Sequence, residues 1–379
     1  MQVAVLFGGA SQEHDVSVVS AQQLMDAADV RKISITPVYT DFENRFFSSP
    51  TLRDIRQFKP KPANAGEVFF RWSANGPVMQ EMTSGRQKPI DCILPVFHGP
   101  FGEDGRLQGH FELLGIPVTG FAAGSSAMAM RKDATKALVK LAGVNVLDHV
   151  TANRASLADS ATLVREVTDR IGFPAIVKPA NLGSSIGVGL AKTPDELAAL
   201  VAYVLAQDNL ALIEPQVQHL VEYNIAMRWS AGEVHLSAIE RPKSSAELLD
   251  FREKYLSSGG AVKGAFLPSE GMLSLTRDIN PQLPDDLQSR IHDYARKAFV
   301  TLGHRGTPRI DFMANARTGE LWFNEINAIP GSYGFFLWEA APQPLLFPEL
   351  INHLVTEALG DTVKRFDDPV PQGAYLLPR

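Results

Sequence analysis

Apolar and polar positions along the chain follow two rhythms, one of strands and one of helices. Val3, Ala4, Val5, Leu6 and Phe7 form a short apolar run that stops at Gly8-Gly9, and Val16, Val19, Ala21 and Leu24 then recur at helical spacing. Strand, glycine turn and helix open an α/β layer. Further strands are predicted over 33–39 and 90–97, the latter closed by His98-Gly99-Pro100 ahead of Phe101-Gly102-Glu103-Asp104-Gly105. Polar, glycine-rich loops after such strands collect at the carboxyl edge of a parallel sheet, where ligands bind. A helix over 108–114 and a short strand over 116–118 complete this first unit, and the small residues from Gly120 mark its end.

The pattern then predicts one helix over 125–142, a helix near 163–171 and a strand over 174–179 closed by Pro179. A strand over 188–191, a helix opening at Thr193-Pro194 and a strand over 211–214 follow, with a second boundary near Gln218. Residues 241–284 are rich in Ser, Gly and Pro with no sustained period, which predicts a functional lid. Helix returns over 285–302, and strands over 309–313 and 321–327 flank a turn at 315–319. The expected division is 1–119, 120–218 and 219–379. Three units agree with 379 residues at about 150 per domain.

Composition narrows the function. The formal net charge of -6 lacks the broad basic field of a nucleic-acid binder, so no nucleic-acid partner is expected. No apolar window approaches the length of a membrane span, and the start lacks the basic end of a signal peptide. A single cysteine, Cys92, excludes internal disulfides and thiolate metal clusters; flanked by Ile90, Ile93 and Leu94 it reads as a buried small hydrophobe, with a nucleophile as the alternative. A reducing cytoplasm is the expected compartment.

The strongest local chemistry lies between Arg309 and Asn327. Alternation puts Arg309 with Asp311 on one face of the first strand, and Phe323, Glu325 and Asn327 on one face of the second. A register that aligns the polar faces makes an oxygen cluster of Asp311, Glu325 and Asn327, a donor set suited to Mg²⁺. The alternative is a solvated face on which Arg309 pairs with a carboxylate. Gly183-Ser184-Ser185-Ile186-Gly187 is neither a Walker A loop nor a dinucleotide fingerprint, which leaves a phosphate-covering flap with Lys178 five residues earlier, or a plain turn. Glu13 and His14 lie where a helix begins, so an acid there also serves the helix end.

In order, Leu6-Phe7-Gly8-Gly9-Ala10-Ser11-Gln12-Glu13-His14-Asp15-Val16-Ser17, His98-Gly99-Pro100-Phe101-Gly102-Glu103-Asp104-Gly105, Lys178-Pro179 with Gly183-Ser184-Ser185, and Asn324-Glu325-Ile326-Asn327 with Pro330-Gly331 resemble the D-alanine:D-alanine ligases. The resemblance implies a three-domain ATP-grasp enzyme that joins two D-amino acids through an acylphosphate, for peptidoglycan synthesis. ATP would be held by Lys132, Lys178, Ser185, Glu214, Pro215, Val217, Glu222 and Lys254, and two Mg²⁺ ions, with Mn²⁺ able to substitute, by Asp311, Glu325 and Asn327. Glu13, Ser184 and Tyr255 would form a linked catalytic set, with Lys254 and Tyr255 on the closing loop, and Arg309 with the backbone of Gly331 would stabilise the oxyanion. Glu13, His98, Lys254, Gly331, Phe336 and Leu337 would contact the amino acids.

Two positions depart from the family. Pro215 stands where lysine is common, yet its carbonyl can accept from the adenine amino group while Val217 donates its amide. Phe336 stands where a serine is usual; with Tyr333, Phe335 and Trp338 nearby, a larger or more apolar acceptor is an alternative, as is a non-catalytic nucleotide-binding regulator. The expected partners are small amino acids, with a homodimer as the assembly to test.

Overall fold

The protein is described by a computed structural model over residues 1–58, 64–243 and 277–360. Three sheets follow one another along the chain. The first has seven strands in the order Gln87–Pro89, Gly76–Glu81, Gly66–Ser73, Phe46–Ser48, Ser34–Thr40, Gln2–Gly8 and Cys92–Val96. Its last three strands are parallel, and Val3 to Phe7 are wholly buried because helices and loops cover both faces. Helix His14–Ala27 turns Val18, Ala21, Leu24 and Met25 onto this sheet, the spacing of an amphipathic helix. Cys92 is buried in the sheet and its thiol is pushed up to about 12 by desolvation, an inert hydrophobe.

The hairpin Gly66–Ser73 with Gly76–Glu81 has no counterpart in the predicted elements, although Val68 and Phe70 alternate inward. The strand expected over 116–118 is reduced to a single bridge between Ile93 and Val118.

The helix expected over 125–142 is two helices, Ala123–Met130 and Lys132–Leu141, broken at Arg131, which is extended at φ -89°, ψ 101°. At the break the amide of Lys132 leaves the helical ladder and donates to the carbonyl of Ala180, 3.0 Å away. The Thr135 hydroxyl donates across the break to the carbonyl of Ala129 at 3.3 Å and, together with its own amide, to that of Arg131 at 3.0 Å. The kink turns Lys132 away from the helix line and into the cleft described below.

The second sheet is antiparallel, in the order Gly189–Ala191, Ala175–Pro179, Ala211–Pro215 and Val150–Ala152, and packs on helices Ser160–Arg170 and Pro194–Leu205 around its own core. The third, also antiparallel, runs Arg277–Ile279, Glu233–Pro242, Leu220–Ser230, Arg309–Asn315 and Leu321–Asn327. Its core is continuous with that of the first sheet and includes Ile291, Tyr294 and Phe299 of helix Asp285–Thr301. The pair Leu220–Ser230 and Glu233–Pro242 was not expected. A bulge between Ile225 and Met227 interrupts its period of two, and its turn is Ala231-Gly232, both at positive φ, instead of Asn-Gly.

The C-terminal side of the third sheet is fastened to the first. Tyr333 is buried and its hydroxyl donates to the carbonyl of Pro95, while the Ser332 hydroxyl donates to Gln23. Tyr333→Phe leaves a buried carbonyl without its partner and should lower stability by about 1–3 kcal/mol in urea unfolding. An unchanged midpoint and slope would show that this tie adds nothing.

Candidate functional site

Two loops of the first sheet leave adjacent parallel strands at the same edge, as expected for loops following Gln2–Gly8 and Cys92–Val96. Ser11 joins them: its hydroxyl donates to the carbonyl of His98 at 2.7 Å and accepts from the amide of Glu13 at 3.0 Å. Glycine is required at position 99, which has φ +84°, because a Cβ there would lie 2.6 Å from Ser11 Oγ and 2.9 Å from Glu13 Oε2. Glu13 is buried, and the hydroxyl of Ser184, from the loop after Ala175–Pro179, donates to its Oε1. The linkage of Glu13 and Ser184 is thus present across 171 residues of sequence.

His98 is buried beside Ser20, 3.1 Å from Nε2 to Oγ. Burial holds its imidazole down to about 4; the backbone of Ile329, to which it hydrogen-bonds, pulls the other way, and the charge of Arg309 lowers it further. Glu103, unassigned by the sequence, accepts from the amides of Gly99 at 2.8 Å and Ile329 at 2.9 Å. Burial pushes its carboxyl up to about 8, against the two amides and with the charges of Glu13 and Glu325 assisting.

A second cluster joins the middle and third sheets. Lys132 Nζ lies 3.1 Å from Glu325 Oε2 and donates to the carbonyl of Leu182 at 2.5 Å. Lys178 Nζ lies 2.6 Å from Glu214 Oε2 and 2.9 Å from Asn324 Oδ1. Lys136, one turn beyond Lys132 and wholly buried, lies 2.7 Å from Glu214 Oε1 and donates to the carbonyl of Phe323 at 3.2 Å. Burial opposes the charge on Glu214, but the two lysines overcome it and hold the carboxyl down to about 2. Lys136 is lowered to about 8, burial outweighing Glu214. Glu214 therefore anchors two lysines through its side chain. Pro215 and Val217 follow it half-buried, and Glu222 is half-buried on strand Leu220–Ser230 of the third sheet.

In the third sheet Asp311 pairs with Glu325 and Arg309 with Asn327, so the polar faces align. A bulge between Asp311 and Phe312 sets Phe323 opposite Phe312, with Asn324 left over. Simple alternation had placed Phe323 beside Glu325 and Asn327; the extra residue turns Phe323 into the core instead and leaves Asn324 on Lys178. The pairing of Arg309 with a carboxylate is present, although on a buried rather than a solvated face: Arg309 grips Asp311 through Nε at 2.6 Å and Nη2 at 2.7 Å, and Asn327 Nδ2 donates to Asp311 Oδ2 at 3.0 Å. The ladder continues to Asn224, paired with Asp311, and to Glu240, which accepts from Asn224 Nδ2 at 3.2 Å; neither was singled out.

These residues fit a hard divalent cation. Asp311 and Glu325 lie directly opposite on paired strands, balanced by Arg309 and Lys132 respectively, and their hard carboxylate oxygens with the Asn327 amide oxygen are the donors a divalent cation would take. Among the described residues no three His, Cys, Asp or Glu side chains gather for a metal, so the donor set is two carboxylates and one amide. Such a set suits Mg²⁺, which keeps room for phosphate oxygens and water. A cleft lined by Glu103, Lys132, Gly183, Glu325 and Asn327 runs beside these strands, and a Cβ on Gly183 would lie 3.4 Å from Glu13 Oε2.

Gly331 follows Pro330 and begins the short helical turn Gly331–Gly334 beyond strand Leu321–Asn327, and Ser185 adopts φ 58° beside Ser184 in the loop after Ala175–Pro179. Leu337 is wholly buried. Phe336 carries the Arg277 guanidinium 4.8 Å above its ring. Tyr333 and Trp338 are core residues, the latter donating from Nε1 to Thr307 at 2.6 Å, and Phe335 stacks on Phe347 at 4.5 Å. All four rings taken to favour a larger acceptor are thus engaged in packing, Phe336 on the same core as Phe335. Lys254, Tyr255 and most of the expected lid lie outside the described residues.

The model described as "D-ala D-ala ligase N-terminus" matches residues 2–121, and "D-ala D-ala ligase C-terminus" matches 138–356. D-alanine--D-alanine ligase of Chlorobium phaeovibrioides is 31% identical over 373 residues, covering 94% of this chain and 96% of that protein. The ligase of the same name from Thermosipho melanesiensis is 28% identical over 370 residues, covering 97% and 95%. Among solved structures, D-alanine-D-alanine ligase from Coxiella burnetii superposes with a TM-score of 0.77 at 25% identity, covering 95% of this chain and 94% of that one. VanG D-Ala:D-Ser ligase from Enterococcus faecalis gives 0.75 at 26%, covering 94% and 99%.

His98 supplies a pH test. Its folded value, about 4, lies below the ordinary 6.5, so between those values the unfolded chain binds the extra proton. Native stability falls as pH falls through this window, by up to about 3 kcal/mol from this residue. Denaturant titrations from pH 7 to 4.5 should show a smaller loss in His98→Gln than in the parent. Equal losses would remove His98 as a source.

Proposed function

This chain belongs to the D-alanine:D-alanine ligase family of ATP-dependent ligases, and from that premise we propose that it joins two D-alanine molecules into the dipeptide used for peptidoglycan synthesis. The observation that carries this reading is the pairing of Lys132 with Glu325 in one cleft, whose wall residue Gly183 adjoins the linked Glu13 and Ser184. Family membership sets aside a non-catalytic regulator. The engagement of Tyr333, Phe335 and Trp338 in packing favours D-alanine over a larger acceptor. The three sheets are read as the centres of domains 1–119, 120–218 and 219–379, with ATP between the last two. The cytoplasm is the proposed compartment; among the described residues no helix is long and apolar enough to cross a membrane.

A carboxylate is a poor electrophile, so the first D-alanine needs activation. Its carboxylate oxygen attacks the γ-phosphorus of ATP, the bond to the β-phosphate oxygen breaks, and ADP leaves an acylphosphate. The neutral amine of the second D-alanine then attacks the acyl carbon; the tetrahedral intermediate expels phosphate and the nitrogen loses its proton. Glu13 pairs with the ammonium of the first substrate and is oriented by Ser184. Lys132 and Lys178 bear on the phosphates, Lys178 aimed by Glu214 and Asn324. Arg309, with the amide of Gly331, stabilises the oxyanion. Asp311, Glu325 and Asn327 would hold Mg²⁺, two ions with Mn²⁺ as a substitute, and the bound ions supply neutralisation of phosphate charge.

Purified protein with ATP, Mg²⁺ and D-alanine should release phosphate and form D-alanyl-D-alanine in equal amounts, followed by mass spectrometry. A chelator should stop both. Glu325→Gln should fold normally and lose turnover by orders of magnitude; near-parental turnover in the folded variant would sink the metal assignment. Phosphate release without D-alanine dependence would sink the ligase reading.

A further inference from the structure

The peptide unit at Ile329 lies two residues before Gly331, and the loop after Cys92–Val96 holds it. The Glu103 carboxyl group accepts from the Ile329 amide at 2.9 Å with Oε1 and from the Gly99 amide at 2.8 Å with Oε2. His98 hydrogen-bonds to the backbone of the same residue. Glu103 and Ile329 are 226 residues apart, so this contact joins the loop beside Glu13 to the loop that leads into the Gly331 backbone.

Glu103 also stands on a stiff base. Its own amide donates to the carbonyl of Gly99 at 3.2 Å, closing the turn. Gln108 Nε2 donates to the carbonyl of Gly102 at 2.8 Å, and Gly102 sits so close to Phe97 that a Cβ would fall 2.1 Å from that side chain. Phe101 takes φ 69° with its amide on Asp104 Oδ2 at 2.8 Å. A displacement at the base of this turn would therefore reach Ile329.

We propose that Glu103 is a positioning residue of the ligation reaction: by holding the Gly99 and Ile329 amides on its two oxygens it fixes the distance between the first-substrate loop and the oxyanion-stabilising backbone at Gly331. This rests on the ligase reading above. The physical reason is that acyl transfer needs the carbonyl carbon, held from the Glu13 side, and the oxyanion donor, held from the Gly331 side, in one frame. Neither loop alone sets that separation. A single carboxyl group with an acceptor for each loop does, because both bonds share one rigid O–C–O angle. A carboxamide cannot replace it, since one of its two ends is a donor and would face a backbone N–H.

A misplacement of about 1 Å costs on the order of a hundredfold in rate. Glu103→Gln and Glu103→Ala should therefore lower kcat for D-alanyl-D-alanine formation about a hundredfold, while the KM for ATP stays within threefold. Thermal unfolding with and without Mg²⁺ and ATP would report whether each variant is folded and binds nucleotide. Hydrogen exchange would give a direct readout: the Ile329 amide should exchange faster in Glu103→Ala, while the amide of Tyr333 keeps its protection. A folded Glu103→Gln variant with kcat within threefold of the parent overturns the proposal. So does a loss of kcat matched by an equal rise in the KM for ATP, which would mark a general loosening. The parent, assayed alongside, separates the two readings: an inactive parent overturns the ligase function and this proposal with it, whereas an active parent beside an unaffected variant overturns this proposal alone.

Discussion

Glu214 sits wholly enclosed between two ammonium groups, Lys136 and Lys178, and much of the site's geometry follows from the need to satisfy that buried charge. A carboxylate removed from water is costly unless paired and hydrogen-bonded. The pairing here draws on three separate elements: the strand Ala211–Pro215, the neighbouring strand Ala175–Pro179, and the helix Lys132–Leu141. Because Lys136 also donates to the carbonyl of Phe323, and Lys178 to Asn324, satisfying one acid also pins the third sheet against the second. The same helix carries Lys132 to Glu325, four residues before Lys136. Removal of either lysine would strand a charge and loosen this junction at once.

The hairpin of the third sheet has the complementary problem. Asp311 and Glu325 face each other with like charge, and Arg309 and Lys132 supply the balance. An arrangement that sets acids in opposition and then surrounds them with cations holds a high local field in a cleft, which is what a phosphoryl-transfer site uses. The core explains how such charges stay in place. The first and third sheets share one continuous apolar cluster, while the second has its own, so the acids of the third sheet and the Glu13 loops of the first ride on one packed body.

Much of this was legible in the order of residues. Local periodicity carried the first parallel strands and the helix His14–Ala27, because burial on both faces or on one stripe leaves a plain mark on the chain. Glycines at Gly8-Gly9 and Gly99 marked loops whose backbone angles and close contacts exclude other residues. The resemblance of four ordered motifs named the chemistry. Glu13, Ser184, Lys132, Lys178, Asp311 and Glu325 could be picked out before any fold was known.

What the tertiary structure alone decided has a common physical cause: it depends on partners far away in sequence. The break at Arg131 exists because the amide of Lys132 finds Ala180 instead of its own helix, which no propensity within 125–142 records. The bulge that sends Phe323 inward and Asn324 toward Lys178 is set by the fit of two strands, so alternation read along one strand put Phe323 on the wrong face. The aromatic run after Gly331 reads identically as pocket wall or as core, and only packing against Pro95, Thr307 and Phe347 distinguishes them. Lys136 carries no local signal, and Glu103 only its place in the His98–Gly105 motif, which gives it no role. One is a lysine on an amphipathic helix and the other an acid in a glycine-rich loop until Glu214 and Ile329 are brought beside them. Sequence determines which groups and which local elements exist; which buried charges and amides must satisfy each other is decided when the chain closes.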